Sequence, residues 1–352
     1  MSSTSIKCVT IAHSHYCECS RWMLQLLNQS KPSIKIDEAV FSMLPMAHGE
    51  LAAVIRSQEP EDSPARLHRH KNSITVGGGF EKFPEEANIK RMDSSMVPVA
   101  LVTSTSNDTN KVLGDSFEIM NYVCKELNIN SYTPEMQKKF DLYGSIARNL
   151  YYCSYSQKVE TEATREEMID FVSTNYFSFQ SPDSQYVQTK KKMLDKGGAY
   201  EKIMSRFEKL WGVARYEETL KEKVKAIDDM FDYVESKLKD SEGDYLGGLT
   251  PSGDDYLFAA LSCLLVCPSI PDSEGNVSDG KIIPGVSCRY ADALKTFPTK
   301  IKAFAMHYRE RPAGQHILKM YMKHRNCNIN VNKTYQQTIE PKKEDFFKDC
   351  KL

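Results

Sequence analysis

Three side chains that could act on a thiol lie together near the start of the chain: Ser14, Tyr16 and Cys17. They follow the β-branched segment 7–12 and precede apolar residues at helical spacing, so they lie at a predicted helix N-terminus. A hydroxyl hydrogen bond to a thiolate contributes about 1.5–3 kcal/mol, and a helix N-terminus adds about 0.3–1 kcal/mol. Lowering a thiol pKa by two units needs about 2.7 kcal/mol, so one hydroxyl here is sufficient. The alternative role of Ser14 is a simple N-cap.

One further residue pair could hold a small ligand, and another marks a strand start. Val97-Pro98 precedes a β-branched segment, where proline is tolerated as an ordinary strand start. Asp115-Ser116 lies at another predicted helix N-terminus. There, backbone N–H groups and a hydroxyl can bind a carboxylate, and the acidic side chain can bind an ammonium group. The same residue types also serve as plain helix caps, so both interpretations of this pair stay open.

Other chemically suggestive groups are weaker. His48, His68 and His70 have no paired cysteines at ligand spacing, so we expect no metal site. The segment Cys17-Glu18-Cys19 is one residue short of the redox C-x-x-C pattern, which leaves thiol–disulfide exchange as an alternative. The glycines at 77–79 lack the lysine of a phosphate-binding loop and predict a flexible turn.

Elements that could position these residues alternate in the first half of the chain. Predicted strands and helices follow one another as strand 7–12, helix 19–27, strand 34–41, strand 97–103, short strand 111–113 and helix 116–127. This order is typical of a small α/β domain with a mixed sheet. A strand-helix-strand unit takes only about 30 residues, so we predict that the segment 46–95 is an insertion, largely irregular.

The second half predicts helices almost throughout. Met136 to Leu150 has apolar residues three and four apart after Thr133-Pro134, and the segment 220–238 repeats this period. Ser252 and Asp255 predict a capping box before the apolar run 256–266. Two short helices follow, one at 301–308 and one after Pro312. On the helix that begins at Pro134, the polar and aromatic candidates for a pocket are Tyr143, Arg148, Tyr151 and Tyr152, although aromatic residues at this spacing are more often core.

Composition sets the broad class. The 352 residues are 41% hydrophobic and 26% charged, with a net charge of −1, which favours neither nucleic acid nor an anionic membrane as partner. The longest apolar stretch, 257–267, is too short for a membrane span, and the N-terminus lacks a secretory pattern. Ten scattered cysteines do not form the dense framework of a small secreted protein. We therefore expect a cytoplasmic protein with reduced thiols.

Four landmarks in order resemble the cytosolic glutathione transferase family. They are SHYCECSRWMLQLL (14–27), Val97-Pro98, Asp115-Ser116 and YLGGLTPSGDDYLFAAL (245–261). The resemblance implies an α/β thioredoxin-like domain over 1–130, carrying the long insertion at 46–95. An all-α helical-bundle domain over 131–330 would follow. The resemblance does not extend to residues 331–352, which we predict to be a polar tail.

The resemblance also implies an activity. Glutathione would be the co-substrate, an electrophilic small molecule the second substrate, and no metal would take part; detoxification and a homodimer are typical of the family. Ser14, Arg21 and Leu24 reproduce the spacing of serine-type, zeta/theta-like classes, which implies Ser14 as the catalytic residue, with Tyr16 and Cys17 as alternatives.

The remaining roles are carried over in the same way. Val97, Pro98, Asp115 and Ser116 would bind glutathione, and the second-substrate pocket would include Tyr143, Arg148 and Tyr151. Two other functions stay open. One is a non-catalytic scaffold or binding protein with this fold, and the other is a glutathione-dependent thiol reductase that uses Cys17.

Overall fold

A computed structural model describes most of the chain outside a few long gaps. The described ranges are 4–12, 14–41, 48–63, 97–104, 109–134, 136–140, 185–202, 216–268, 299–325 and 334–350, with isolated pairs and single positions between 143 and 173. The predicted features at His68, His70, 77–79, Arg148, Tyr151 and Tyr152 lie outside the described residues.

Strands and helices in the described residues follow one another from an α/β part to a helical part and back to a strand. They are β1 (Thr4–Ile11), α1 (His15–Ser30), β2 (Lys35–Phe41), α2 (Gly49–Arg56), β3 (Val99–Ser104), β4 (Thr109–Leu113), α3 (Ser116–Leu127), α4 (Gln185–Asp195), α5 (Tyr216–Asp240), α6 (Gly253–Leu261), α7 (Cys263–Val266), α8 (Thr299–Glu310), α9 (Pro312–His324), β5 (Tyr335–Ile339) and α10 (Lys343–Phe347). Residues 136–140 are helical as well.

One mixed sheet has the strand order β4-β3-β1-β2-β5. β1 pairs with β2 in parallel, whereas β3 is antiparallel to both β1 and β4. The predicted mixed sheet is thereby confirmed. The first four strands, with α1 and α3, are consistent with a thioredoxin-like α/β domain joined to a helical part.

The prediction of a polar tail over 331–352 is wrong for most of that segment. Residues 335–339 form β5, which pairs in parallel with residues 36–40 of β2. The short helix α10 then buries Phe346 and Phe347 against the sheet. The sequence of β5, YQQTI, lacks a clear apolar alternation because it is an edge strand with few buried positions.

The prediction of a largely irregular insertion at 46–95 is wrong for its first part. Residues 49–56 form α2, which buries Leu51, Ala52 and Ile55 against Val99 and Leu101 of β3. The helix is only two turns long, so its apolar residues give too short a period to recognise. Residues 64–96 lie outside the described part of the chain.

The sheet is the middle layer of the α/β part. One face carries Ile6, Cys8 and Ile36 and packs against α1, α3 and the helical part. The other face carries Val9 and Phe41 and packs against α2 and α10. Alternate residues of β1 thus serve two different cores, as expected for a strand covered on both sides.

Buried α6 is central to the helical part. Ser252 and Asp255 form the predicted capping box at its start, and the apolar run that follows is divided at Ser262 into α6 and α7. Trp22 of α1 links this part to the α/β part. Its indole N–H donates to the backbone oxygen of His324 at 3.0 Å, and its ring meets Tyr256 edge-on at 5.6 Å.

Candidate functional site

Three of the predicted features lie together at one end of the strands, which we call the sheet edge. β1 ends at Ile11, and β3 begins opposite Val9 because Val99 pairs with that residue. β4 runs back and ends at Leu113, opposite Ala100. The turn with Ser14, the pair at 97–98 and the pair at 115–116 therefore all leave the sheet at the same edge, where α1 and α3 also begin.

Ser14 is the N-cap of α1. Its Oγ accepts a hydrogen bond from Cys17 N at 3.2 Å, and its backbone oxygen accepts from Glu18 N at 2.8 Å. The side chain is half-buried. Capping uses the hydroxyl oxygen as an acceptor only, so the geometry is compatible with donation of its proton to another group.

His15 and Tyr16 attach this turn to the helical part. His15 Nε2 lies 2.9 Å from the backbone oxygen of Gly144, and the His15 side chain is buried. The Tyr16 hydroxyl also faces Gly144, since a Cβ added there would lie 2.8 Å from it. Sequence reasoning missed His15, because a histidine inside a helix start gives no signal of its distant partner.

Cys17 and Cys19 are fully buried thiols. Cys17 Sγ lies 3.4 Å from Ile11 N, whose N–H it accepts. Burial raises the pKa of Cys17 to about 11, although this hydrogen bond and Arg21 act to lower it. Burial also raises the pKa of Cys19 strongly. Both side chains are therefore neutral thiols near pH 7, which is the opposite of what a nucleophilic cysteine requires.

The Val97–Pro98 peptide bond is cis, and the pair directly precedes β3. The pairing of β3 with β1 begins at Val99, so the backbone of Val97 lies outside that ladder. A residue in this position can offer its N–H and C=O to a peptide-like ligand.

Asp115 is the N-cap of α3, and Ser116 is its buried first residue. The Asp115 carboxylate accepts from Glu118 N at 2.8 Å, while Glu118 accepts from Gly114 N at 2.7 Å. Asp115 remains half-buried rather than enclosed. Capping and ligand binding use the same backbone N–H groups and side chains at a helix N-terminus. The structure shows the capping contacts.

Arg56 also reaches this edge of the sheet and was not anticipated. Its guanidinium donates to the backbone oxygen of Gly114 at 2.9 Å and pairs with Glu59 at 3.3 Å. Ser63 donates to the same carboxylate at 2.7 Å. A buried cation from α2 thus holds the residue that directly precedes Asp115.

The structure places Tyr143 in the core of the helical part. It is 3% exposed, and its hydroxyl lies 2.7 Å from Ser262 Oγ. Burial raises its pKa strongly, despite the Ser262 hydrogen bond. Phe258 packs beside its ring. A role for Tyr143 at an open substrate surface is not supported by this position.

A buried group of charges lies beneath the turn that carries Ser14. Arg21 pairs with Glu38 at 2.8 Å and with Glu18 at 3.1 Å, and none of the three side chains is exposed to solvent. Arg325, at the end of α9, pairs with Glu18 at 2.7 Å. Sequence reasoning used Arg21 only as a spacing landmark, because the usual expectation for charged residues is the surface.

Glu38 accepts hydrogen bonds on both carboxylate oxygens. Thr10 and Arg21 donate to Oε1 at 2.6 and 2.8 Å. Tyr335 donates to Oε2 at 2.7 Å, and the Gln337 amide donates to it as well. Burial acts to raise the pKa of Glu38, but the Arg21 charge and these hydrogen bonds outweigh burial and lower it. The carboxylate is therefore ionised in the folded protein.

The described residues include neither a metal-binding cluster nor a membrane-spanning helix. Within them, no three His, Cys, Asp or Glu side chains are grouped in a way that could hold a metal ion. Their helices include none with the length and apolar character needed to cross a membrane.

The chain is similar to the solved structure of NaGST-2. The match covers 90% of this chain and 96% of that one, with 14% identical residues and a TM-score of 0.29. No protein-family model matches the sequence, and no curated protein matches it at a significant level. Values this low do not establish a common fold, so the functional assignment depends on the residues at the sheet edge.

Proposed function

We propose that the protein binds glutathione at this sheet edge and activates its thiol at Ser14 for attack on an electrophilic small molecule, as a glutathione-transferase-like enzyme. The observation that carries the proposal is the convergence at one edge of the Ser14 turn, the Val97–Pro98 pair and the Asp115–Ser116 helix start. This convergence supports the proposal because the three features offer hydrogen-bonding groups for separate parts of a tripeptide.

Ser14 is the proposed catalytic residue. Its oxygen is engaged by Cys17 N, which leaves the hydroxyl proton available for a thiolate. The N-terminus of α1 adds a favourable field for a negative charge. A thiol of ordinary pKa, about 8.5, is only a few per cent ionised at pH 7, so a shift of about two units raises the thiolate fraction roughly twentyfold.

The roles proposed for the other residues follow from ligand chemistry. Val97 would pair with the cysteinyl backbone of glutathione, next to Pro98. The N–H groups at the start of α3 and the Ser116 hydroxyl would take the γ-glutamyl carboxylate, and Asp115 its ammonium group. The second-substrate pocket, with Arg148 and Tyr151, stays a proposal from sequence alone.

The buried position of Cys17 favours the serine mechanism over the reductase alternative. A reductase needs an accessible thiolate, whereas burial raises the pKa of Cys17 to about 11. Tyr16 is also less suited, because its hydroxyl faces Gly144 of the helical part. A scaffold protein that binds without catalysis differs from the enzyme only in turnover, which the following experiment measures.

Calorimetric glutathione binding and a conjugation assay with a reactive aryl halide test the proposal on four proteins: wild type, Ser14→Ala, Ser14→Asn and Cys17→Ser. Wild type should bind and conjugate. Ser14→Ala should retain binding, lose conjugation about 10²-fold, as expected for about 2–3 kcal/mol of thiolate stabilisation, and lose about 1 kcal/mol of stability as a cap.

The asparagine variant separates the two roles of Ser14. Asparagine caps as well as serine, but it replaces the hydroxyl by an amide N–H donor at a different position on a longer side chain. Ser14→Asn should therefore keep wild-type stability and still lose turnover. Cys17→Ser should remain active. Binding without turnover in wild type would favour the scaffold, and a larger loss in Cys17→Ser than in Ser14→Asn would favour the reductase.

A further inference from the structure

Arg21 spans the turn between β1 and α1 from beneath. On the strand side, its Nη2 donates to Thr10 Oγ1 at 3.0 Å and lies 3.5 Å from the backbone oxygen of Ile11. On the helix side, its Nη1 pairs with the Glu18 carboxylate at 3.1 Å. Ser14 lies between these two attachment points, so the position of Arg21 constrains the turn from both ends.

Glu38 holds Arg21 in place, and half of the hydrogen bonds of Glu38 come from β5. Oε1 faces the turn, where Arg21 and Thr10 donate to it. Oε2 faces away from the turn and accepts from Tyr335 and Gln337. A continuous series of hydrogen bonds therefore runs from β5 through Glu38 and Arg21 to the ends of the turn.

Because this series is buried, each charged group in it depends on its hydrogen-bond partners. Glu38 and Arg21 are entirely removed from solvent, where a carboxylate that lacks donors is strongly disfavoured. The Tyr335 hydroxyl is enclosed too, since Tyr335 is 4% exposed. Its donation to Glu38 is among the interactions that keep the pKa of that carboxyl low. If this donor is removed, the Glu38 carboxylate either forms other hydrogen bonds or becomes protonated. In both cases its electrostatic attraction for Arg21 weakens.

We infer that β5 positions the Ser14 turn from the opposite side of β2, with Tyr335 as the positioning residue that acts through Glu38 and Arg21. The role assigned to Ser14 rests on the proposed function, but the mechanical coupling does not. This inference gives a structural role to β5, which lies in the segment that the sequence predicts to be a polar tail.

Hydrogen exchange on the full chain tests the coupling without any ligand. In Tyr335→Phe, which removes one hydroxyl only, the amides of Cys17 and Glu18 should exchange about tenfold faster, since a hydrogen bond to a charged group is worth a factor of this order. Both amides donate to Ser14. The amides of α5 should exchange as in wild type.

Tyr308→Phe is the matched control. Tyr308 is also buried, and its hydroxyl also donates to a carboxylate, Asp228 Oδ1, at 2.9 Å, but it lies in α8. The same substitution there should leave the amides of Cys17 and Glu18 unchanged. Faster exchange at these two amides in Tyr335→Phe alone supports the inference, whereas equal rates in wild type, Tyr335→Phe and Tyr308→Phe would overturn it.

Two additions keep the outcome decisive. Gln337→Ala removes the other β5 donor to Glu38, at a partly exposed position. If Tyr335→Phe fails to fold, this variant replaces it, and the same faster exchange of the Cys17 and Glu18 amides is expected. In addition, the ultraviolet absorbance of bound glutathione thiolate reports its pKa, which should be higher in Tyr335→Phe than in wild type. Failure of wild type to bind glutathione would remove the proposed function and leave the exchange result intact.

Discussion

Two neighbouring carboxylates at the start of α6, Asp254 and Asp255, have pKa values shifted in opposite directions. Asp255 accepts hydrogen bonds from the backbone of Leu246, Gly247 and Ser252 and lies 3.0 Å from His316. Burial acts to raise its pKa, but His316 and these hydrogen bonds outweigh burial and lower it. For Asp254, burial and the Asp255 charge raise the pKa to about 6, and its buried Oδ1 has no partner among the described residues.

These pKa shifts predict opposite effects of two adjacent substitutions. Because the folded-state pKa of Asp254 is raised from 3.8 to about 6, the folded protein binds the proton more tightly than the unfolded chain does. Stability should therefore fall as pH rises from about 4 to about 6. Asp254→Asn removes this loss and should stabilise the protein at pH 7 by about 1–2 kcal/mol, a value reduced for partial solvent exposure.

Asp255→Asn is the control. The lowered pKa of Asp255 means that its ionised form stabilises the fold above the ordinary aspartate pKa, and that this contribution is lost on acidification through the lowered value. At pH 7 this variant should be destabilised. Denaturant titrations at pH 4 and pH 7 measure both effects, and a destabilised Asp254→Asn at pH 7 would contradict the assignment.

At the scale of the elements, local signals were enough for several of the helices and for β1 to β4. The cap at Asp115 and the apolar period after it predicted the helix 116–127 with the bounds that the structure has. The capping box at Ser252 was predicted for the same reason, since both partners lie within one turn. Such signals depend on residues that are close in sequence.

Two features that were missed, β5 and the buried group of charges, depend on distant residues. β5 has a polar sequence, and what makes it a strand is the exposed edge of β2, to which it pairs. The buried group at Arg21 and Glu38 has the same origin, because its partners come from β1, α1, β2 and β5. Of the candidate site, residue types at the sheet edge were predictable, whereas His15 and Arg56 were not.

The junction between α8 and α9 offers a prediction about helix packing. A Cβ at Gly314 would lie 1.9 Å from the backbone oxygen of Tyr308, and backbone atoms cannot move away as a side chain can. Gly314→Ala should therefore cost about 3 kcal/mol or more. Met322→Ala, on the exposed side of α9, should change stability by less than about 0.5 kcal/mol. Thermal melts of both variants measure the difference, and similar melting temperatures would contradict the close approach.

For the whole molecule, the contact at Gly144 joins the α/β part to the helical part. An added methyl at Gly144 would meet the Tyr16 hydroxyl at 2.8 Å and Leu261 Cδ2 at 3.3 Å. Gly144→Ala should cost about 1–2 kcal/mol from overpacking, although alanine favours the helix.

A double-mutant cycle identifies the cause. Adding Tyr16→Phe removes the hydroxyl that the methyl would meet, so the double variant should recover part of the loss caused by Gly144→Ala. Denaturant titration of the four proteins measures the coupling. If the free-energy changes of the two substitutions are strictly additive, the Tyr16 hydroxyl and the Gly144 backbone are not in tight contact.

The pairing of β2 with β5 also constrains the timing of folding during synthesis. Glu38 and Tyr335 are 297 positions apart, so a ribosome that adds about 5–20 residues per second needs roughly 15–60 s between them. Throughout that interval the nascent chain carries a β2 edge that lacks its own partner, and such an edge can pair with a neighbouring chain. The sheet that starts to form at β1 is thus completed only when β5 has been synthesised, and until then the β2 edge is open to pairing with other chains.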